Sequence, residues 1–293
     1  MSAAAKRFRT IIDFRREIAP IGSGLAGLTA AAPSALRNIH AIGGIVIKEL
    51  CRRKDFYVLF VLTALITALM GSVSFFNEVK VVRYVKEICL LLIWISSLVI
   101  AITTAARQIP FERENRTLFP LLAKPVTRGQ VALGKFWGCW LATGLALFVF
   151  YLFFIVVSAT RDHDLALVAS LQALTLHWCM LGVVIAITVL GSLVFAAPSS
   201  NNTITIVVVA GILLLGRHLN KVALRLDEPL QSILYSIYYI IPHLELYDMR
   251  DLLIHSWGSI PWLVWLGAIA YAIVYAVLFL FAACLVFQRK PVN

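Results

Sequence analysis

Charged residues are missing from long stretches of this chain and crowded into the segments between them. The stretches fall at about 56–76, 88–106, 136–160, 172–197, 203–217 and 260–287. None shows the two-residue alternation of a half-buried strand. Most match the roughly 20 residues a helix needs to cross a hydrocarbon core of about 30 Å. An Asp, Lys or Arg at a span centre costs about 2.5–3.5 kcal/mol, so the apolar centres exclude them. The fourth stretch belongs to a longer apolar run, 165–197, whose first turns are expected to stand outside the membrane, and the fifth is short. The pattern predicts an all-α membrane protein with six transmembrane helices.

The segments between the spans have patterns of their own. In ALRNIHAIGGIVIKELCRRK (35–54), Leu36, Ile39, Ile42, Ile45, Ile47 and Leu50 supply an apolar side, and Arg52, Arg53 and Lys54 close it. This predicts an N-terminal helix lying at the interface, with a bend at Gly43-Gly44, where each Gly costs about 1 kcal/mol relative to Ala. Residues 1–34 read as a separate basic extension and linker, ahead of a six-span domain over 35–293. Within the extension, 5–18 is either a basic amphipathic helix on anionic lipid or a disordered tail, and KRFRTIIDFRRE lacks the apolar run of a signal peptide. Between spans five and six, PLQSILYSIYYIIP (229–242) is apolar, too short to cross and bounded by proline, and PHLELYDMRDLL follows it. That is the pattern of a re-entrant outer segment, two half-helices making a lid over a cavity; the alternative is a surface loop on lipid.

Composition and charge fix class and orientation. The chain has 293 residues, 61% hydrophobic and 14% charged, with a mean hydropathy of +0.89. A soluble domain carries about 25% charged residues. The net charge of +11 raises nucleic acid as a partner only until its distribution is considered. With the amino terminus inside, cytoplasmic segments hold 18 of the 26 Lys and Arg, which places both termini in the cytoplasm by the positive-inside rule. Membrane lipids, not nucleic acid, are the expected contact. The five cysteines form no C-x-x-C pair and read as free buried thiols.

The loop between spans two and three reads RQIPFERENRTLFPLLAKPVTRGQVALGK (107–135). Gly129 and Gly134-Lys135 have the G-x-x-x-x-G-K spacing of a phosphate-binding loop. Position 136 is Phe, where that loop needs a magnesium-binding hydroxyl, and a membrane span follows instead of a helix under a sheet. Lys135 instead suits the inner headgroups as a span anchor, and Gly134 and Gly138 suit close helix approach. FERENRTLFPLLA can form a short helix along the membrane, apolar at Phe111, Leu118 and Leu122 and charged at Glu112, Arg113, Glu114 and Arg116.

In order, this loop carries Glu112 or Glu114, Thr117-Leu118, Leu121-Leu122, Lys124-Pro125-Val126-Thr127-Arg128 and Leu133-Gly134-Lys135. In that order it resembles the signature of ABC transporter type-2 permeases, the membrane subunits of one class of ABC exporter. The chain is similar to single-domain permeases of the copper-enzyme-maturation and gliding-motility kind over about 35–290. The resemblance implies a dimer, of two identical or similar chains, in the bacterial inner membrane, each protomer docked to a separate cytoplasmic ATPase. ATP and Mg would sit on that partner, with no cofactor or metal on this chain, which would not itself be an enzyme. The helix after span two would be the coupling helix, with Phe111, Glu112, Glu114, Thr117 and Leu118 as its contact face. The alternative is a non-transporting anchor or mechanotransmission subunit driven by the same type of ATPase.

Few other residues suggest chemistry. His177, in HWCM, sits beside Cys179 and Met180, but neighbouring helix positions point apart, so one span cannot bring all three to a soft metal. A hydrogen-bonded His inside the bundle is expected, and His177, Gln172 and Thr175 are transport-path candidates if they face the cavity. The spans hold no Asp or Glu, which argues against an intramembrane hydrolase. Asp248 and Asp251 are in reach of Arg250 and Arg225, and the sequence does not choose between those partners. Asn201-Asn202-Thr203 has the glycosylation pattern but falls on the cytoplasmic side.

Overall fold

The computed structural model describes residues 36–49, 52, 54–72, 78–114, 127–162, 166–195, 197–223 and 229–289. Among them the regular structure is entirely helical: α1 (36–49), α2 (Lys54–Ser72), α3 (Glu78–Glu114), α4 (Arg128–Asp162), α5 (Leu167–Val194), α6 (Pro198–Ala223), α7 (Leu230–Ile240), a 3-10 turn (Leu244–Tyr247), α8 (Arg250–Ile254) and α9 (Trp262–Arg289). By length and composition α3, α4, α5 and α9 are each able to cross a membrane, and the apolar parts of α2 and α6, Tyr57–Leu69 and Pro198–Leu214, are shorter.

The helices outrun the apolar blocks that announce them. α3 has 37 residues, a length of about 55 Å, against a hydrocarbon core of about 30 Å. It passes through Pro110 without ending, although a proline inside a helix removes a hydrogen bond and crowds the preceding turn. Burial explains this: Gln108 and Ile109 are 4% and 0% exposed, so packing holds the turn that the ring disturbs. Phe111, Glu112 and Glu114 therefore belong to the last turn of α3 rather than to a separate helix. At the other side of the loop, α4 starts at a reciprocal cap. Gln130 N donates to Thr127 Oγ1 at 3.3 Å, and Thr127 N donates to Gln130 Oε1 at 3.2 Å.

α5 is the centre of the bundle, packed against α3, α4 and α9 and buried over two-thirds of its apolar window, whereas α9 is mostly exposed. α4 and α5 are joined by a reciprocal indole clasp. Trp140 Nε1 donates to Trp178 O at 3.0 Å, Trp178 Nε1 donates to Trp140 O at 2.9 Å, and the rings stack with centroids 4.4 Å apart. Gly144 gives the Trp178 indole its place, since a Cβ there would lie 2.4 Å from Nε1. α1 runs straight through Gly43-Gly44, where a bend was expected. Gly43 serves contact instead, while Gly44 faces open space: a Cβ on Gly138 would lie 2.8 Å from Gly43 Cα, so α1 and α4 cross backbone to backbone.

The lid pattern of 229–254 resolves into α7, the 3-10 turn and α8. The 3-10 turn replaces the first half of the second expected helix. Side chains fasten this strap to the bundle. Tyr247 Oη donates to Ala268 O at 2.9 Å, and His243 N donates to Tyr271 Oη at 3.2 Å. Gln172 Nε2 donates to Ile260 O at 3.0 Å and Ile260 N donates to Gln172 Oε1 at 2.9 Å.

Candidate functional site

Three helices meet around Lys135. Its side chain is 6% exposed; Nζ donates to Gln108 Oε1 at 3.1 Å and forms an ion pair with Glu112. Gln108 Nε2 in turn donates to Glu49 Oε2 at 3.5 Å. A buried ammonium costs several kcal/mol unless it is paired, so α1, α3 and α4 are held together here by one cation and its acceptors. Lys135 is thus a buried tie and not the headgroup anchor that its position in the sequence suggested. The tie lies at the root of segment 115–126, where α3 ends and α4 begins. Phe111 is on the open side of that root, 50% exposed, while Glu112 turns into the bundle. Glu114 is the last residue of α3, and Thr117 and Leu118 lie outside the described residues. Beside the root, Arg128 Nη1 donates to Phe287 O at 3.1 Å and Gln288 O at 3.3 Å, satisfying carbonyls at the end of α9.

A second polar group lies deep between α3, α4 and α5. His177 Nε2 is 2.9 Å from Ser97 Oγ, and His177 Nδ1 is 3.4 Å from Tyr151 Oη. His177, Ser97 and Tyr151 are 3%, 1% and 4% exposed. This is the hydrogen-bonded histidine that the sequence suggests. The buried serine–histidine pair cross-links α3 to α5. Gln172 fastens the backbone before α9, and Thr175 Oγ1 accepts from Trp265 Nε1 at 3.0 Å. All three sequence-predicted path candidates are therefore engaged in packing contacts.

The open feature is a groove of about 490 Å³ between α3 and α6, within the 300–1,000 Å³ range of small-molecule sites. Leu91, Trp94, Ile95, Leu98 and Ile102 form one wall; their three- and four-residue spacing is a single stripe of α3. Ile206, Val209 and Leu213 of α6 form the other. One end is polar, with Glu245, Asp248 and Arg250 from the strap. Arg250 Nε and Nη2 donate to the two Asp248 oxygens at 2.8 Å each, and the guanidinium lies over the Trp94 ring, 5.0 Å from its centroid. The hydrogen bonds to Asp248 raise the Arg250 pKa above its ordinary value, so it stays charged. This settles the partner of Arg250.

The groove was hidden in the sequence because an apolar stripe facing a cavity reads the same as one facing lipid. Glu245 left a trace: it is an acidic residue just after an apolar run, close in sequence to Asp248 and Arg250. Asn201 was readable only as a glycosylation pattern. It is 0% exposed, with Nδ2 donating to Thr188 O at 3.1 Å, and ties α6 to α5.

No curated protein shows significant similarity to the chain. A family model described as ABC-2 family transporter protein matches residues 34–292, nearly the whole length, and the chain belongs to that family.

Proposed function

We propose that this chain is the permease subunit of an ATP-driven exporter, acting as a dimer with a separate ATPase that grips the segment after α3. The family membership supports a membrane component of an ABC transporter, and such components normally pair with an ATPase subunit. The observation that carries the reading further is the tie at Lys135. It fixes the end of α3 to the start of α4 and to α1, so a push on segment 115–126 is delivered to α1, α3 and α4 together. In this reading that end faces the cytosol, as the surplus of basic residues requires, and the Arg250 end faces outward in the inner membrane. The α3–α6 groove is the cargo path, its strap the outer lid, and His177, Gln172 and Thr175 form a polar spine behind it.

The ATPase contact is tested at Phe111, the exposed residue of the root, and at Glu114, where α3 ends. Glu114→Lys and Phe111→Ala should release the ATPase from membranes while the permease still inserts and stays monodisperse. Unchanged co-purification in both variants would refute the contact. Glu112 is the wrong residue for this test, because its reversal would bury two cations together. The non-transporting alternative is separated by proteoliposomes: ATP hydrolysis stimulated by the chain with no cargo moved would favour it.

A further inference from the structure

The polar end of the groove does not balance. Among the described residues its lining holds two carboxylates and one guanidinium, and Arg250 is committed to Asp248 through two short hydrogen bonds and to the Trp94 face. Among the described residues Glu245 has no such partner. Its Oε2 is cut off from water and accepts no hydrogen bond. The carboxylate is seated against the backbone of α6 at Gly216, where a Cβ would lie 2.6 Å from both of its oxygens. A second orphan, the Trp94 indole N–H, lies on the same stretch of the groove. A carboxylate oxygen held dry without a donor is costly, and the natural remedy is a cation that donates to it.

We infer that the groove takes an amphiphile carrying a protonated amine, its ammonium donating to Glu245 and its chain lying between α3 and α6. Charge complementarity sets the head, since an anionic head would face two carboxylates and a neutral one would leave Glu245 unpaired. The apolar walls set the tail, because Ile95, Leu98 and Ile102 continue the α3 wall past Trp94, over which Arg250 sits. Gly216 belongs to the site in a negative sense: it supplies the space in which the carboxylate sits.

The inference rests on reading the groove as a cargo path, and the test separates the two. Full-length protein in nanodiscs of zwitterionic lipid is photolabelled with a diazirine-bearing dodecylamine or with the matching dodecanol. Labelling of α3 and α6 peptides is measured by mass spectrometry and normalised to that of the exposed face of α9. In the unmodified protein the amine should label the groove roughly tenfold more than the alcohol, the ratio expected from one charge-assisted hydrogen bond. Glu245→Gln should erase the preference while alcohol labelling persists, and Leu98→Trp, which fills the groove, should suppress both probes. Equal labelling by amine and alcohol in the unmodified protein, or a preference that survives Glu245→Gln, overturns the choice of head and leaves the groove as an apolar path. If neither probe labels the groove above the α9 reference, the path reading falls and this inference falls with it.

Discussion

Replacing Glu112 with Gln leaves the shape of the Lys135 tie intact and removes one charge. Among the described residues the Lys135 ammonium then keeps only the Gln108 amide oxygen as an acceptor while remaining almost wholly buried. Breaking a buried pair by removing one partner costs about 3–5 kcal/mol, because the other charge is stranded. The Glu112 side chain is 17% exposed, so some water reaches the site and the lower end, about 3 kcal/mol, is expected. For a domain of this size that is a drop of roughly 6–12 °C in Tm. Lys135→Met alone should cost less, since Glu112 can turn to solvent. The double variant should recover at least about 1 kcal/mol of the sum of the single losses, because neither charge is then stranded. Thermal unfolding in detergent, read by the loss of monodisperse protein, gives the cycle. Additive losses, or two single variants within about 0.5 kcal/mol of wild type, would refute the argument that a desolvated ion pair holds α3 to α4.

Gly138→Val places side-chain atoms where α1 touches α4, so α1 should detach and protease sites in 36–49 should open while α3–α9 remain protected; an unchanged digestion pattern would count against the crossing. Trp178→Phe removes the indole donor to the Trp140 carbonyl, which keeps its helix hydrogen bond, a loss of about 0.5–1.5 kcal/mol that should appear as a lower Tm, and Gly144→Val should cost at least as much by expelling the indole. Gln172→Ala unfastens the backbone at Ile260, and amide exchange should rise across 256–261 with little change in α4; exchange rising uniformly would argue for a general loss of stability instead. Thr127→Val deletes the cap of α4, and faster exchange at 128–131 should accompany a loss of about 1 kcal/mol.

The existence of the long helices was legible because exclusion of charge is a strong, length-coded signal. Their ends were not, for two reasons. A helix does not stop where the apolar run stops, as α3 shows by continuing through Lys86 and Pro110 once those positions are buried. A glycine was read as a break when it was a contact: Gly43 and Gly138 lie far apart in sequence, and only the fold brings their backbones together. The root of segment 115–126 was legible as a motif, but the burial of Lys135 depends on Gln108 and Glu49, which are far from it in sequence. The groove was invisible for the reason that lipid and cavity demand the same side chains. Its charged end carried the information, and Glu245 became meaningful only when the structure showed that Asp248 had already taken Arg250.

The uninterrupted run of α3 ties the two ends of the molecule by geometry alone. Between Trp94, on the groove wall, and Glu112, in the tie, the helix rises about 27 Å with no break. Pivoting such a stiff rod by about 10° at its Glu112 end would sweep the indole sideways by about 5 Å. A small angular input at one membrane face thus becomes a change in bore at the other, with the gain set by the number of residues between them.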